Sequence, residues 1–320
     1  MRSASSSVAA VSLALVLVGC GAVDDAEEAE QTTSRGEPLD VRPGDRIDRL
    51  GVSVIAPDPG YGVWTEAILD TGETRSIRVQ TLADATVYLF LDDEEHDPES
   101  DDGDEVQADA QGAAEATAAN GSPGPCSDGA YKLAAYRWTT QHAWWFNAGT
   151  TPSEIGKNGA EAALKKAAAN ITTSRNSCGM ADQVSATHVY KGRTSTSTQV
   201  TADGGCKNGD GKNVVGFGDL PAGYLGIACV WFDGEGHALE ADVRLNKADH
   251  TWVVDIGAGC NNRWSVEAVA THERGHVFGL NHVSEAAHGN LTMSPAINGP
   301  CQNAEATLGR GDVKALRARY

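Results

Sequence analysis

The sequence predicts an α+β protein in which a small β-rich domain precedes a larger domain that combines a sheet with helices. Two observations support this prediction. Short runs rich in Val, Ile, Thr and aromatic residues, bounded by Gly, Pro and Asp, are typical of strands and recur through much of the chain. In the second half, segments of helical character interrupt these runs in the order strand, helix, several strands, helix, helix. A sheet with helices packed against it accommodates that order.

The first 19 residues have the pattern of an export signal and are excluded from the fold. MRSASSSVAAVSLALVLVGCGA begins with a positive charge, continues with an apolar run too short to span a membrane, and ends in small residues. The final LVGC resembles a bacterial lipobox, which implies cleavage before Cys20 and a lipid anchor on that cysteine. An ordinary secretory signal with an incidental cysteine is the alternative. In both cases we expect an exported bacterial protein, anchored at the cell membrane or extracellular.

Composition divides the rest of the chain into four parts. Residues 20–38 are acidic, small and aperiodic, as in a disordered tether. Residues 39–95 hold the β-rich stretches RLGVSVIAP, GVWTEAILDTG, TRSIRVQTL and ATVYLFLDD, which predict a small β domain. Residues 96–124 are acidic and rich in Ala, Gly and Pro, which indicates a linker. Residues 125–320 form the second domain.

The charge of the chain is large but uneven. The formal net charge is −19; residues 20–120 contain 26 Asp and Glu against 6 Lys and Arg, whereas residues 121–320 contain 18 of each. The acidity therefore belongs to the N-terminal third and says little about what the second domain binds. The sequence has no block of basic residues, so we do not expect a nucleic-acid partner.

Seven cysteines are present, and Cys20 belongs to the export signal. The other six are an even number in an exported protein, which predicts three disulfides. Six cysteines allow fifteen pairings. Proximity along the chain favours Cys126–Cys178, Cys206–Cys229 and Cys260–Cys301. The sequence has no C-x-x-C pair, so a cysteine zinc site is not expected.

The second domain contains both helical and strand patterns. PSEIGKNGAEAALKKAAANITTS predicts a helix because it is rich in Ala and Lys. HAWWFN, QVSATHVYKG, LGIACVWFDG and HALEADVRLNKADHTWV predict strands. NNRWSVEAVATHERGHVFGL predicts a second helix, with Ser265 as its N-cap and Glu267 in its first turn. GRGDVKALRARY predicts a closing helix.

The second helix carries the motif THERGHVFGLNH. His272 and His276 are four residues apart, so both rings project from one face of a helix and can bind one metal ion. Glu273 lies beside that face and can take a proton from a water molecule on the metal. Gly279 permits a left-handed turn that ends the helix, so that His282 can return as a third ligand. Three protein ligands and a water molecule are typical of a catalytic zinc.

Two simpler interpretations compete with this one. The histidines can be chance residues of an ordinary helix, but five defined residues at fixed spacing arise by chance far more rarely than a bare H-E-x-x-H. The other interpretation is a purely structural metal site, which would not need Glu273. The complete pattern favours a catalytic metal.

THERGHVFGLNH resembles the signature of the metzincin zinc endopeptidases, H-E-x-x-H-x-x-G-x-x-H followed by a methionine turn. LTMSP is the candidate for that turn, and Met293 follows His282 by eleven residues. The resemblance implies a twisted mixed sheet with an active-site helix and a C-terminal helix. It also implies that the three histidines bind Zn²⁺, that Glu273 is the general base and that Met293 forms an apolar floor beneath the metal.

Within this clan the second domain is most similar to the matrixins. YRWTTQHAWWFN resembles their first strand, EADVRLNKADHTW the strand before the active-site helix, and LGRGDVKALRARY the closing helix. The histidines of the strand region lack the spacing of a second, structural zinc site. A cysteine latency switch is not expected either, because the N-terminal domain has no cysteine beyond Cys20, and using Cys126 would leave five cysteines unevenly paired. The β domain is then a different inhibitory pro-region, an adaptor or a spacer.

Acidic residues near LGIACVWFDG raise the possibility of a second kind of metal. Asp233, Glu235, Glu240 and Asp242 crowd a turn that contains Gly, and Asp210 lies in CKNGDGKN. Carboxylates of this kind can bind Ca²⁺, and a solvated acidic turn is the alternative. We also expect an extended substrate to pair with LGIACVWF as an edge strand.

The sequence thus predicts a monomeric zinc endopeptidase that hydrolyses extracellular proteins or peptides and is held at the membrane through Cys20. Two alternatives stay open. One is a non-catalytic zinc-binding or adhesive surface lipoprotein, although the intact Glu273 argues against a loss of catalysis. The other is a zinc hydrolase of a non-protein amide.

Overall fold

The computed structural model of the chain describes residues 36–91, 122–297 and 299–320. The predicted signal peptide, Cys20, and most of the predicted tether and linker lie outside these residues. No helix among the described residues is long and apolar enough to cross a membrane.

Sixteen strands and four α-helices make up the regular structure of the described residues. The strands are β1 (Glu37–Leu39), β2 (Arg46–Arg49), β3 (Val52–Ile55), β4 (Tyr61–Leu69), β5 (Thr74–Thr81), β6 (Val87–Leu91), β7 (Lys132–Leu133), β8 (His142–Phe146), β9 (His188–Arg193), β10 (Gly205–Cys206), β11 (Asn213–Gly218), β12 (Tyr224–Asp233), β13 (Ala238–Asn246), β14 (Trp252–Val253), β15 (Trp264–Ser265) and β16 (Leu280–Asn281). The helices are α1 (Gly156–Thr172), α2 (Val266–Val277), α3 (Glu285–His288) and α4 (Arg310–Arg319).

Nine of the strands form one mixed sheet in the order β1, β6, β5, β4, β12, β13, β11, β8 and β9. Neighbours from β1 to β13 in this order are antiparallel. The strands β11, β8 and β9 continue from β13 in parallel. Parallel neighbours need a crossover connection, and α1 supplies the one between β8 and β9. A smaller sheet joins β10, β3 and β2.

The predicted small β domain is not confirmed as a separate domain. Its strands form, but β4 pairs antiparallel with β12 and so joins the two halves of the chain in one sheet. The pairing of β3 with β10 adds a second connection. Residues 62–69 of β4 are buried on both faces, which a small sheet with one solvated face would not allow. The described residues belong to one compact unit.

The expectation that LGIACVWF is an edge strand is wrong for this form of the chain. This stretch lies in β12, which has β4 on one side and β13 on the other. The strand that was expected to pair with a substrate is therefore already paired along both edges. The reason is that a strand of the N-terminal segment supplies the missing neighbour.

Two apolar clusters lie on opposite faces of the sheet at β4 and β12. Successive side chains of a strand point to opposite faces, so the two strands contribute to both clusters. Trp64 and Val230 belong to the cluster that contains residues of α1 and α2. Val63 and Ile227 belong to the other cluster, together with residues of β2, β3 and β5. The N-terminal strands are thus part of the core that supports β12.

Most elements of the second domain agree with the sequence prediction. Helices α1, α2 and α4 and strands β8, β9, β12 and β13 form where their patterns lie. Strand β11 was not predicted, because two glycines interrupt NVVGFG and weaken its strand pattern. The three disulfides are confirmed, with the pairings Cys126–Cys178, Cys206–Cys229 and Cys260–Cys301.

The shared core predicts one cooperative unfolding transition. Ile77 of β5 is fully buried in the cluster that contains Ile227, and Ile77→Ala should cost roughly 2–5 kcal/mol. We expect calorimetry to show that this change lowers the midpoint of the entire transition. The matched control is Leu82→Ala, because Leu82 is exposed and its removal should leave the midpoint unchanged. Two separate transitions, only one of them moved by Ile77→Ala, would contradict the shared core.

Candidate metal centre

Helix α2 carries the histidine motif and is buried along its whole length. Ser265 begins the helix as its N-cap, with Oγ accepting a hydrogen bond from the backbone N–H of Ala268 at 3.2 Å. Glu267 lies in the first turn, where a negative charge is favourable. The chain leaves the helix at Gly279, whose φ is +79°. A side chain would be strained in that left-handed conformation and would also overlap the carbonyl oxygen of Tyr136.

The turn at Gly279 brings His282 back to the two helical histidines. The Nε2 atom of His272 lies 3.0 Å from that of His276 and 2.9 Å from that of His282. The third distance, between His276 and His282, is 3.1 Å. The rings of His272 and His276 are fully buried, and His282 is 11% exposed. Three ring nitrogens therefore meet at one point in an almost dry interior.

The other ring nitrogens determine which proton each histidine carries. Nδ1 of His272 lies 2.7 Å from the carbonyl oxygen of Thr292, and Nδ1 of His276 lies 2.9 Å from that of Leu280. A carbonyl oxygen only accepts, so both Nδ1 atoms carry a proton, and in the neutral ring each Nε2 atom then presents a lone pair. Burial lowers the pKa of His282 to about 4, so this ring is also neutral at pH 7.

A metal ion fits between the three Nε2 atoms. Converging lone pairs repel one another in a dry interior unless a cation lies among them. Zinc binds imidazole nitrogens at about 2.0–2.1 Å, which separates tetrahedral ligand atoms by roughly 3.3 Å. The observed separations of 2.9–3.1 Å are close to this value. Carbonyl oxygens that hold the second ring nitrogen are also typical of zinc-binding histidines.

A carboxylate from the N-terminal strands reaches the same point. Glu66 of β4 places Oε1 2.6 Å from Nε2 of His282 and Oε2 2.7 Å from Nε2 of His276. Nε2 of His272 lies 3.8 Å from Oε1. Neither oxygen of Glu66 has a hydrogen-bond partner among the described residues, so a hydrogen bond does not explain this contact. Glu66 and the three histidines form one group of potential metal ligands.

Sequence analysis did not identify Glu66 as a site residue. The signal lies in GVWTEAILDTG, where Glu66 is the one charged residue in the buried stretch from Gly62 to Leu69. A carboxylate in the middle of a strand buried on both faces needs a partner. The local sequence shows that such a partner must exist but does not say which residues supply it.

Glu273 follows His272 on the buried helix and faces β12. A side chain at Gly226 of β12 would overlap Glu273 Oε1, so this glycine leaves room for the carboxyl group. In the described part of the chain, no hydrogen-bond donor reaches either oxygen of Glu273. Burial, and then the negative charge of Glu66, raise the pKa of Glu273 well above its usual value.

Met293 packs against Gly275 of α2, in the turn that LTMSP forms. A side chain at Gly275 of α2 would overlap Met293 Sδ, so the glycine allows the turn to approach the helix. Asp312 of α4 fixes the turn, because its carboxylate accepts the N–H groups of Thr292 at 2.9 Å and of Met293 at 3.1 Å. Since the carbonyl of Thr292 binds His272, Asp312 holds that histidine through the turn.

Aromatic side chains satisfy the carbonyl groups at the end of α2. The last carbonyls of a helix have no donor within the helix. Tyr136 Oη donates to His276 at 2.9 Å, Trp138 Nε1 to Val277 at 2.8 Å and Tyr320 Oη to Phe278 at 3.1 Å. These contacts fix the end of α2 from which the chain turns toward His282.

The Matrixin (Peptidase_M10) family model matches residues 207–320. This part of the chain is matrixin-like. The match includes α2, the turn of Met293 and α4, and it supports a metalloprotease of the matrixin type. Among curated proteins, none matches the chain.

The matrixin match does not include the N-terminal strands. Residues 36–91, and with them Glu66, precede the matched range. The resemblance of YRWTTQHAWWFN to the first strand of a matrixin also lies before the match and stays a prediction.

The acidic residues considered for calcium do not converge on one site. The carboxylates of Glu240 and Asp242 accept hydrogen bonds from backbone N–H groups of neighbouring segments. Asp233 and Glu235 instead lie near His237 on the turn between β12 and β13. This arrangement gives the calcium prediction no support.

Zinc should stabilise the folded chain through this centre. We expect one equivalent of Zn²⁺ to raise the thermal midpoint of EDTA-treated protein by about 5–10 °C, because only the folded state brings the three histidines together. His276→Ala should abolish the rise. His237→Ala, which removes a histidine from the turn between β12 and β13, should leave the rise intact. An equal rise in all three proteins would show that zinc binds elsewhere.

The metal-free protein should lose stability as the pH falls from about 6.5 to 4. An imidazole in the unfolded chain titrates near pH 6.5, whereas burial lowers the pKa of His282 to about 4 in the folded protein. The unfolded state therefore binds more protons in this window, and acid favours unfolding by up to about 3 kcal/mol. Urea unfolding of EDTA-treated protein across the window measures this loss. A His282→Gln variant that keeps the same pH dependence would refute the assignment.

Proposed function

We propose that the matrixin-like part of the chain is a zinc-dependent endopeptidase with His272, His276 and His282 as metal ligands. The observation that carries the proposal is the convergence of three Nε2 atoms within 3.1 Å, next to the buried carboxyl group of Glu273. A zinc ion bound there would lower the pKa of a water molecule and polarise the carbonyl group of the scissile peptide bond.

Glu273 is the general base in this proposal. Its carboxyl group is buried without a hydrogen-bond donor from the described residues, and burial raises its pKa well above the usual value, which favours uptake of a proton. It accepts a proton from the attacking water and returns it to the amine of the leaving peptide. Hydrolysis consumes one water molecule and leaves one carboxylate and one amine.

The surrounding contacts support this chemistry by holding the ligands in place. The carbonyls of Thr292 and Leu280 orient two histidine rings, and Asp312 fixes the turn that contains Thr292. Met293 fills the space beneath the helix. Groups that orient metal-binding histidines typically affect metal affinity or activity by about 10–100-fold.

The proposed substrate is an extended protein or peptide segment that pairs with β12. Gly226 of this strand contacts Glu273, and Ala228 lies opposite Glu66. A peptide in the position of β4 would thus cross the metal centre. In the described form β4 itself holds this position.

We also propose that the protein acts outside the cytoplasm, where its three disulfides form readily. The export signal and the lipid anchor on Cys20 belong to this proposal and lie outside the described residues. A monomer anchored in this way would act on proteins at or beyond the cell surface.

A non-catalytic zinc site is the second candidate function. Glu66 completes a set of four protein ligands around one point, and closed sets of four are typical of structural zinc sites. A surface protein that uses zinc only for stability would have this coordination. The presence of Glu273 beside the centre, without any hydrogen-bond partner in the described residues, favours the endopeptidase.

The variant Glu273→Gln tests the proposed reaction. It should reduce chelator-sensitive hydrolysis of casein by at least about 100-fold, because general acid–base catalysis is lost, while one zinc per chain is retained. The control is Glu235→Gln on the exposed turn, which should change neither quantity. Because Glu66 lies at the centre, hydrolysis is measured before and after brief treatment with a glutamyl endopeptidase, which is then stopped by a serine-protease inhibitor.

The outcomes separate the two candidates. Full hydrolysis by Glu273→Gln would exclude Glu273 as the base. Bound zinc without hydrolysis by the wild-type protein, both before and after removal of the segment that contains Glu66, would favour the non-catalytic site.

A further inference from the structure

We infer that Glu66 is a fourth protein ligand of the metal and that β4 occupies the place of the substrate, so that the described form of the chain is latent. This inference rests on the proposed function, which identifies the site as a zinc centre. It assigns an inhibitory role to residues 36–91, which lie outside the matrixin-like part of the chain.

The Glu66 carboxylate lies among the histidine nitrogens, where a metal ion would bind. Its oxygens lie 2.6 and 2.7 Å from Nε2 of His282 and His276, and the side chain is only 1% exposed. Neither of these oxygens has a hydrogen-bond partner among the described residues, and Nδ1 of His276 already donates to the carbonyl of Leu280. A carboxylate and imidazole lone pairs approach so closely, away from water, only when a cation lies between them. Glu66 then fills the position that a catalytic zinc keeps open for water.

The register of β4, the strand that carries Glu66, also places this carboxylate at the metal centre. The pairing of β4 with β12 is antiparallel and continuous from Tyr61 to Ile68, with Glu66 opposite Ala228. A shift of one residue would turn Glu66 to the other face of the sheet. The register therefore places the carboxylate at the metal, and the backbone of β4 takes the hydrogen bonds that an extended peptide would need from β12.

The neighbours of Glu66 hold the strand in this register. On the same face, the ring of Trp64 packs against the ring of His276, with centroids 4.9 Å apart, and Ile68 lies in the core. On the opposite face, Val63 and Ala67 lie in the second apolar cluster. Glu66 is thus presented by a rigid strand, and the centre opens only when β4 leaves β12.

The same arrangement also deprives Glu273 of the water molecule from which it would take a proton. With Glu66 in the fourth position, Glu273 has no water proton to accept. A cysteine is not required for this form of latency, and Cys126 is bonded to Cys178. Removal of β4 would free the metal position and the edge of β12 at the same time.

The first test examines the metal position directly, with Co²⁺ in place of zinc in the full-length chain. The wild type is compared with Glu66→Ala and Glu66→Gln, and Glu73→Gln at an exposed turn is the control. We expect the visible spectrum of the wild type and of the control to be independent of pH between about 6 and 9, because all four ligands are protein groups. Glu66→Ala should show a spectral change with a midpoint near pH 7, because solvent takes the fourth position.

A small chelating ligand gives a second measure of the same position. Acetohydroxamate should bind Co²⁺-loaded Glu66→Ala at least about tenfold more tightly than the wild type, because it no longer competes with a carboxylate. If the alanine variant does not fold, as judged by its thermal transition, Glu66→Gln preserves the shape of the side chain and weakens the ligand.

The outcomes distinguish this inference from the proposed function. Metal uptake with the same pH-dependent spectrum in the wild type and in Glu66→Ala would overturn the role of Glu66 and leave the endopeptidase intact. Failure of all these proteins to take up metal would overturn both.

The second test examines latency. Full-length wild type is treated briefly with a glutamyl endopeptidase, because residues 92–121 contain five glutamates that follow the Glu66-containing strand in the chain. Gel filtration in mild urea then removes the segment that contains Glu66, and mass spectrometry follows its loss. We expect casein hydrolysis to rise at least about tenfold as the intact Glu66-containing strand is lost. Equal hydrolysis by the untreated chain, or none after the strand is lost, would overturn the latency.

Discussion

Three imidazole rings aim their Nε2 atoms at one point in a nearly dry interior, and much of the structure around them serves to keep them there. The carbonyls of Thr292 and Leu280 dictate the tautomers of two rings, and the carboxylate of Asp312 fixes the turn that supplies the first of these carbonyls. Gly275 and Gly279 allow the helix and its exit to come close enough. A cation at this point would offset the repulsion between the three nitrogens, so a bound metal would contribute to folding as well as to chemistry.

The metal centre and the N-terminal strands depend on the same pair of strands. One face of β4 and β12 lines the centre, and the other face lies in the second apolar cluster. The disulfide Cys206–Cys229 ties β12 to β10, which in turn pairs with β3. A change in the packing of the N-terminal strands is therefore transmitted to Glu66 and to the position of β12 beside Glu273.

The sequence predicted the features that depend on nearby residues. The limits of α2 follow from Ser265 and Gly279, and the grouping of the three histidines follows from helical spacing plus a glycine turn. The local sequence does not specify which distant strands pair with each other, because any suitable strand can pair with an open sheet edge. The prediction therefore separated the β-rich segment from the second domain and left β12 at an edge. Glu66 was missed for the same reason, since its partners become neighbours only through the pairing of β4 with β12.

The place of β4 along the chain bears on the time at which the proposed endopeptidase would become active. A chain is synthesised and exported from its N-terminus, and its early segments can fold first. The strand that bears Glu66 thus exists before the helix with the histidines has been made. When β12 has been synthesised, its partner strand β4 is already present. With Glu66 as a ligand, a protease made in this order would be closed as soon as its metal centre forms, and no separate inhibitor would have to be produced in step with it.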